Sequence, residues 1–194
     1  MKDGGGPMDA ACMMDFLHKL EKLKCNTRHS WTSSWRHESV AEHSWRLGMM
    51  ALLLREGFPT LDMDKVVEMC LLHDIGEAVT GDIPSFEKTE ADCAVEDRAV
   101  DGLLSSLPEP EQGRLKALFA EMEALKTPEA RLYKALDRLE AVIQHNEAPL
   151  ETWLPLERTL NRTYGQEDCA QFPATRALRA LALEETEKKL STEP

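Results

Sequence analysis

Apolar residues recur along this chain at intervals of three and four: Phe16, Leu17, Leu20 and Leu23, then Leu47, Met50, Leu53 and Leu54, then Val66, Val67, Cys70 and Leu71. That period marks one face of an amphipathic helix, and strand-like alternation is scarce, so an all-α fold is expected. Ser39-Val40-Ala41-Glu42 reads as a capping box, which places a helix start near Val40; the helix should run to Gly57, with Pro59 beyond. Asp62 or Asp64 caps the next helix, predicted to continue through His73 and Asp74 until Thr80-Gly81-Asp82 supplies a terminating glycine. Ile83-Pro84-Ser85 then forms a loop, Ser85 caps a helix from Phe86 to about Leu104, and Pro108 opens another. Thr127-Pro128-Glu129 combines an N-cap, a first-turn proline and an early acid; this helix should hold Asp137 in its middle and end before Pro149. A last amphipathic stretch, Ala174 to Leu190, carries Leu178, Leu181 and Leu183 and is expected to pack on the core or on a second subunit.

A chain of 194 residues without internal repeats fits one domain, here residues 9–190 as a helical bundle after a glycine-rich flexible tail over residues 1–8. Apolar residues at 42% and charged residues at 30% suit a soluble protein. No apolar run reaches membrane-spanning length, and the first residues do not read as a signal peptide. The 35 acidic against 23 basic residues leave a net charge of −12, which argues against nucleic acid or an anionic membrane as partner. A small phosphorylated substrate stays open, because one bound cation can invert the field inside a cleft. Cys12, Cys25, Cys70, Cys93 and Cys169 are odd in number and form no CxxC pair, so reduced thiols in a cytoplasmic protein are expected.

His43, His73, Asp74 and Asp137 each fall on a predicted helix among apolar neighbours. Such side chains are costly in a helical core unless partnered, and one divalent cation shared by two imidazoles and two carboxylates partners all four. The mixed nitrogen and oxygen set suits Mn, Fe, Co, Ni or Zn. Neighbours on a helix do not share a face, so His73 and Asp74 must both lean toward the ion. Glu77, four residues after His73 and three after Asp74, projects from the same side and could exchange a proton with an attacking water or a leaving oxygen. On spacing alone Glu77 reads equally well as a solvated glutamate, and Asp137, flanked by Lys134 and Arg138, as half of a surface ion pair. His18, His29, His37 and His145 read as surface or packing histidines. Trp31, Trp35 and Trp45 could line a pocket for a base, with packing the first reading for Trp45.

The order His43, then His73-Asp74, then Asp137, all on helices, resembles the HD-domain phosphohydrolases. The surrounding text is similar to their 5′-deoxynucleotidase branch: Phe16-Leu17, Leu23-Lys24, Arg28 followed by Trp31, Glu38-Ser39-Val40-Ala41-Glu42-His43-Ser44, His73-Asp74-Ile75-Gly76-Glu77, Thr80-Gly81-Asp82-Ile83-Pro84 and Lys134-Ala135-Leu136-Asp137. The likeness runs from about Phe16 to Asp137 and fades afterwards. It implies a single-domain HD helical bundle in which His43, His73, Asp74 and Asp137 hold one divalent metal. Arg28 would bind the substrate phosphate, Glu77 would act in proton transfer, and Asp82, Ile83, Pro84 and Ser85 would contact the nucleoside sugar. One variant of the pattern has Trp directly after the phosphate-binding Arg; here that position is His29, so the orienting role falls on His29 or Trp31. Dinuclear relatives need further histidines between the HD pair and the last aspartate, and residues 75–136 contain none. The resemblance therefore implies hydrolysis of (deoxy)nucleoside 5′-monophosphates, with a homodimeric assembly. Two other readings are a deoxynucleoside triphosphohydrolase, which wants more basic residues than Arg28, Arg36 and Arg46 supply, and a nonhydrolytic nucleotide-binding module. Complete ligands plus Glu77 count against the latter.

Overall fold

A computed structural model describes residues 8–192; apart from Met8, which packs against the core, the expected tail lies outside them. The chain runs α1 (Ala10–Leu20), α2 (Lys22–Cys25), β1 (Thr27–Trp31), β2 (His37–Ser39), α3 (Val40–Leu54), α4 (Met63–Leu72), α5 (Glu77–Thr80), α6 (Glu90–Leu104), α7 (Glu111–Ala124), α8 (Pro128–Glu147), α9 (Glu157–Thr163), α10 (Gln166–Ala170) and α11 (Pro173–Ser191). The all-α expectation holds, with one small antiparallel hairpin added. Among the described residues no helix is long and apolar enough to cross a membrane. All five cysteines are unpaired.

Helix α8 is the axis of the bundle. Thr127 accepts from the Ala130 amide at 3.2 Å, Pro128 opens the first turn, and the helix ends at Glu147, ahead of Pro149. Leu132, Leu136, Leu139 and Val142 are fully buried along it, each contributing about 2 kcal/mol by burial. α3 and α4 pack on one side of α8, and α10 and α11 on another. The last helix therefore packs on the chain's own core, through Leu178 and Ala182 beside Leu139 and Val142.

The capping box at α3 forms as expected: Ser39 accepts from the Glu42 amide at 3.2 Å and Glu42 from the Ser39 amide at 2.8 Å. Two expectations are corrected and one element is added. The helix capped by Asp62 stops at Leu72, where i→i+3 bonds replace the α pattern: Ile75 to Leu72 and Glu77 to Asp74, at 3.1 and 3.0 Å. Within this turn His73 and Asp74 bring Nε2 and Oδ2 to 2.9 Å of each other. Ser85 caps no helix; Thr89 does, because Asp92 three residues on completes a reciprocal capping box, and α6 begins at Glu90. Finally, the segment before α3 is the β1–β2 hairpin, whose register spends four residue steps from Thr27 to Trp31 against two from Ser39 to His37. That irregularity lets consecutive residues of β1 face one cavity.

Gly165, in the left-handed region at φ 68°, joins α9 to α10 against α8, and a Cβ there would lie 2.7 Å from Cβ of Arg138. Gly165→Ala is therefore expected to destabilise the fold by about 2 kcal/mol, read by chemical denaturation.

Candidate metal centre and pocket

Four side chains from three helical segments converge beneath the hairpin. His43, in the first turn of α3, places Nε2 3.2 Å from His73 Nε2, 3.3 Å from Asp137 Oδ1 and 3.9 Å from Asp74 Oδ2. His73 Nε2 lies 2.9 Å from Asp74 Oδ2 and 3.7 Å from Asp137 Oδ1. The protons on the far side of each ring are accounted for. His43 Nδ1 meets Glu140 Oε2 and His73 Nδ1 lies 3.0 Å from the Cys70 carbonyl, both acceptors, so each Nδ1 carries a hydrogen and each ring turns its Nε2 inward. Two ring nitrogens and two carboxylate oxygens then face one another, the mixed donor set of a cation site. Their spacing also fits one, since ligands roughly 2.1 Å from a tetrahedral ion stand about 3.4 Å apart. The residues present fit a divalent metal.

The electrostatics point the same way. Burial and Arg28 disfavour charge on His43, yet Glu140 and Asp137 hold it up to about 10, so the nest draws in positive charge. Burial opposes charge on Asp74 and Asp137, but the imidazoles, joined by Arg28 at Asp74 and Lys134 at Asp137, keep both carboxyls well below the usual range. Lys134 does pair with Asp137, at 2.8 Å to Oδ2; the pair lies in the pocket wall rather than on the surface, and Oδ1 is left to the nest.

Glu77 is 4% exposed, and no partner reaches its buried Oε2. Burial, reinforced by Asp74 and Asp82, pushes its carboxyl up to about 10, so it carries a proton. The solvated reading of Glu77 is thereby excluded. Arg28 sets Nη1 3.6 Å from Asp74, while its buried Nε, 3.4 Å from Glu38, makes no hydrogen bond.

These groups open into a cavity of about 170 Å³. Asp82, Ile83, Pro84 and Ser85 form one wall and His29 another. Trp31 does not line it: the ring packs on His37, centroids 4.1 Å apart, and faces away. Trp35 and Trp45 are 60% and 63% exposed, which corrects both the base-pocket and the packing readings; the aromatic lining is Phe86 and Tyr164 instead. His18 and His37 have no place in the cavity, whereas His145 does.

Several residues went unread in the sequence. Ala141 and His145, the latter read as a surface or packing histidine, share one face of α8 with Lys134 and Asp137 at helical spacing and line the cavity with them, a signal that the 3,4,4 interval contains. Glu140, fully buried, takes Arg46 Nε at 2.6 Å on the oxygen not used by His43. Glu140→Gln is expected to weaken divalent metal binding about 10- to 100-fold in calorimetric titration with Mn. Glu157 carries no legible signal, being brought in by the fold alone. Its hydrogen bond, against desolvation, holds His29 above the ordinary histidine value. A raised pKa stabilises fully below about pH 6.5 and the contribution is lost as pH rises through the folded value, so Glu157→Gln should flatten the loss of stability that sets in as pH rises above about 6.5.

The HD domain family profile matches residues 20–176. The chain belongs to the HD-domain family. The human 5′-deoxynucleotidase HDDC2 (Homo sapiens) is 31% identical over 146 residues, 71% of this chain and 69% of that protein. The dATP triphosphohydrolase of Cyanophage S-2L is 33% identical over 138 residues, 67% of this HD-domain chain and 70% of its relative. A solved structure of a predicted metal-dependent phosphohydrolase from Magnetospirillum magnetotacticum MS-1 superposes with a TM-score of 0.78 at 29% identity, covering 95% of this chain and 98% of that one.

Proposed function

We propose that this HD-domain chain hydrolyses nucleoside 5′-monophosphates, preferentially with a 2′-deoxy sugar, to the nucleoside and inorganic phosphate. The observation that carries this reading is the pairing of a cation nest with a single guanidinium beside it. Of the three Lys and Arg side chains lining the cavity, Lys88 is held by Glu96 and Lys134 by Asp137, while Arg28 stands 3.4 Å from Glu38 and 3.6 Å from Asp74 with no hydrogen bond at Nε. One phosphate suits that inventory better than three. The name of the human relative supports the same class.

His43, His73, Asp74 and Asp137 would hold the ion, Mn, Fe, Co, Ni or Zn, which when bound supplies Lewis acidity toward phosphate and water. Arg28 binds and orients the phosphate oxygens beside Asp74. Glu77, neutral by burial, would give its proton to the departing sugar oxygen as water attacks phosphorus and would regain one from that water, so no net proton is lost. The Asp82–Ser85 wall bounds the sugar. Catalysis then rests on positioning and charge, with no covalent phosphoenzyme. The same reading takes residues 9–190 as one domain and sets it in the cytoplasm, supported by five unpaired thiols, as a homodimer, for which the exposed Trp45, Leu52 and Leu53 on α3 offer apolar surface.

Phosphate release from a panel of deoxy- and ribonucleoside mono- and triphosphates, with added Mn or Co, tests the proposal. Orthophosphate from monophosphates is the expected result. Release of inorganic triphosphate would favour the second reading, to which the cyanophage relative lends support.

A further inference from the structure

Across the cavity from the cation nest, His29 on β1, His145 near the end of α8 and Glu157 at the start of α9 meet. Glu157 Oε1 lies 2.9 Å from His29 Nε2 and 2.8 Å from His145 Nε2. A carboxylate oxygen only accepts, so each ring brings a proton to it. The separations are hydrogen-bond lengths, with the acceptor between two donors. Two of the three groups have little freedom left. His145 Nδ1 lies 3.0 Å from the Ala141 carbonyl, and Glu157 Oε2 accepts from the Leu154 amide at 2.6 Å. His29 differs: among the described residues its Nδ1 takes no protein partner, and its ring stands edge-on to Phe86 with centroids 5.8 Å apart.

We infer that Glu157, backed by His145, is a positioning residue that locks the His29 ring so that its Nδ1 meets the nucleoside part of the substrate. The inference rests on nucleotide hydrolysis as the activity. Its geometry comes from the irregular register of β1, through which the consecutive Arg28 and His29 both reach the cavity, Arg28 toward Asp74 and His29 toward Glu157. A substrate whose phosphate sits at Arg28 therefore lays its sugar or base along His29, Phe86 and Tyr164. One fixed hydrogen-bonding atom beside two aromatic rings suits a planar polar ligand. The segment carrying Glu157 and Tyr164 lies beyond Asp137, so the C-terminal third of the chain completes the cavity.

Steady-state kinetics of wild type, Glu157→Gln and His29→Gln on a 2′-deoxynucleoside 5′-monophosphate, with inorganic phosphate and the free deoxynucleoside as inhibitors, test this. Expected is a KM about tenfold higher with kcat within about twofold, the pattern of lost uniform binding. Inhibition by the deoxynucleoside should weaken by about the same factor and inhibition by phosphate should not change. If Glu157→Gln fails to fold, His29→Gln, at a partly exposed position, carries the test alone. An unchanged KM, or phosphate inhibition weakened in step with the nucleoside, overturns the inference. Were the wild type inactive on nucleotides, the activity reading would fall, and calorimetric binding of the deoxynucleoside to wild type against His29→Gln would decide the inference separately: equal affinity, or none in wild type, overturns it.

Discussion

Asp137→Asn is expected to lower phosphate release by about a thousandfold or more and to abolish tight binding of a divalent ion. Asp137 does two jobs with its two oxygens: Oδ2 takes Lys134 at 2.8 Å and Oδ1 faces the two Nε2 atoms at 3.3 and 3.7 Å. An amide of the same shape removes the charge and puts a donor where the nest needs a lone pair. Several kcal/mol of charge stabilisation at phosphorus depend on the ion, and each 1.36 kcal/mol is about a tenfold change in rate. Phosphate release, with Mn titration followed by calorimetry on the same samples, checks both halves. A variant that keeps activity while losing the ion would separate the two and refute the mechanism.

Glu77→Gln should reduce kcat by about 10²- to 10⁴-fold while leaving ion binding and KM near wild type. The carboxyl is buried and pushed up to about 10, so what is lost is a proton at the leaving oxygen. An ester whose leaving group departs without protonation discriminates this from a fault of positioning. On a p-nitrophenyl phosphate ester the variant should lose much less than on a nucleotide. Equal losses on both would assign Glu77 a structural part.

How far such a site can be read in advance depends on whether its residues share an element. His43, placed by the Ser39 capping box, and Asp137, placed by the Thr127-Pro128 start, lie on helices whose ends carry strong local signals, so their inward orientation follows from periodicity. The turn after Leu72 was legible only as a requirement, that His73 and Asp74 both lean one way; the i→i+3 bonds found there follow from packing, with Gly76 letting α6 approach so closely that a Cβ would lie 2.9 Å from Val100. The hairpin escaped because β2 has three residues and β1 lacks strand alternation, and with it went the distinction between His29 and Trp31. Glu157 escaped for a different reason: it joins His29 and His145 from 128 and 12 positions away, and no local pattern encodes such a meeting. Glu140, by contrast, stood one turn from Asp137 and was open to the same spacing argument that found Glu77.

Titration of chelator-stripped protein with Mn, following phosphate release, tests the central claim most directly. Activity that is absent from the stripped chain and saturates at one ion per chain is the expected result. Undiminished phosphate release from the stripped chain would contradict it.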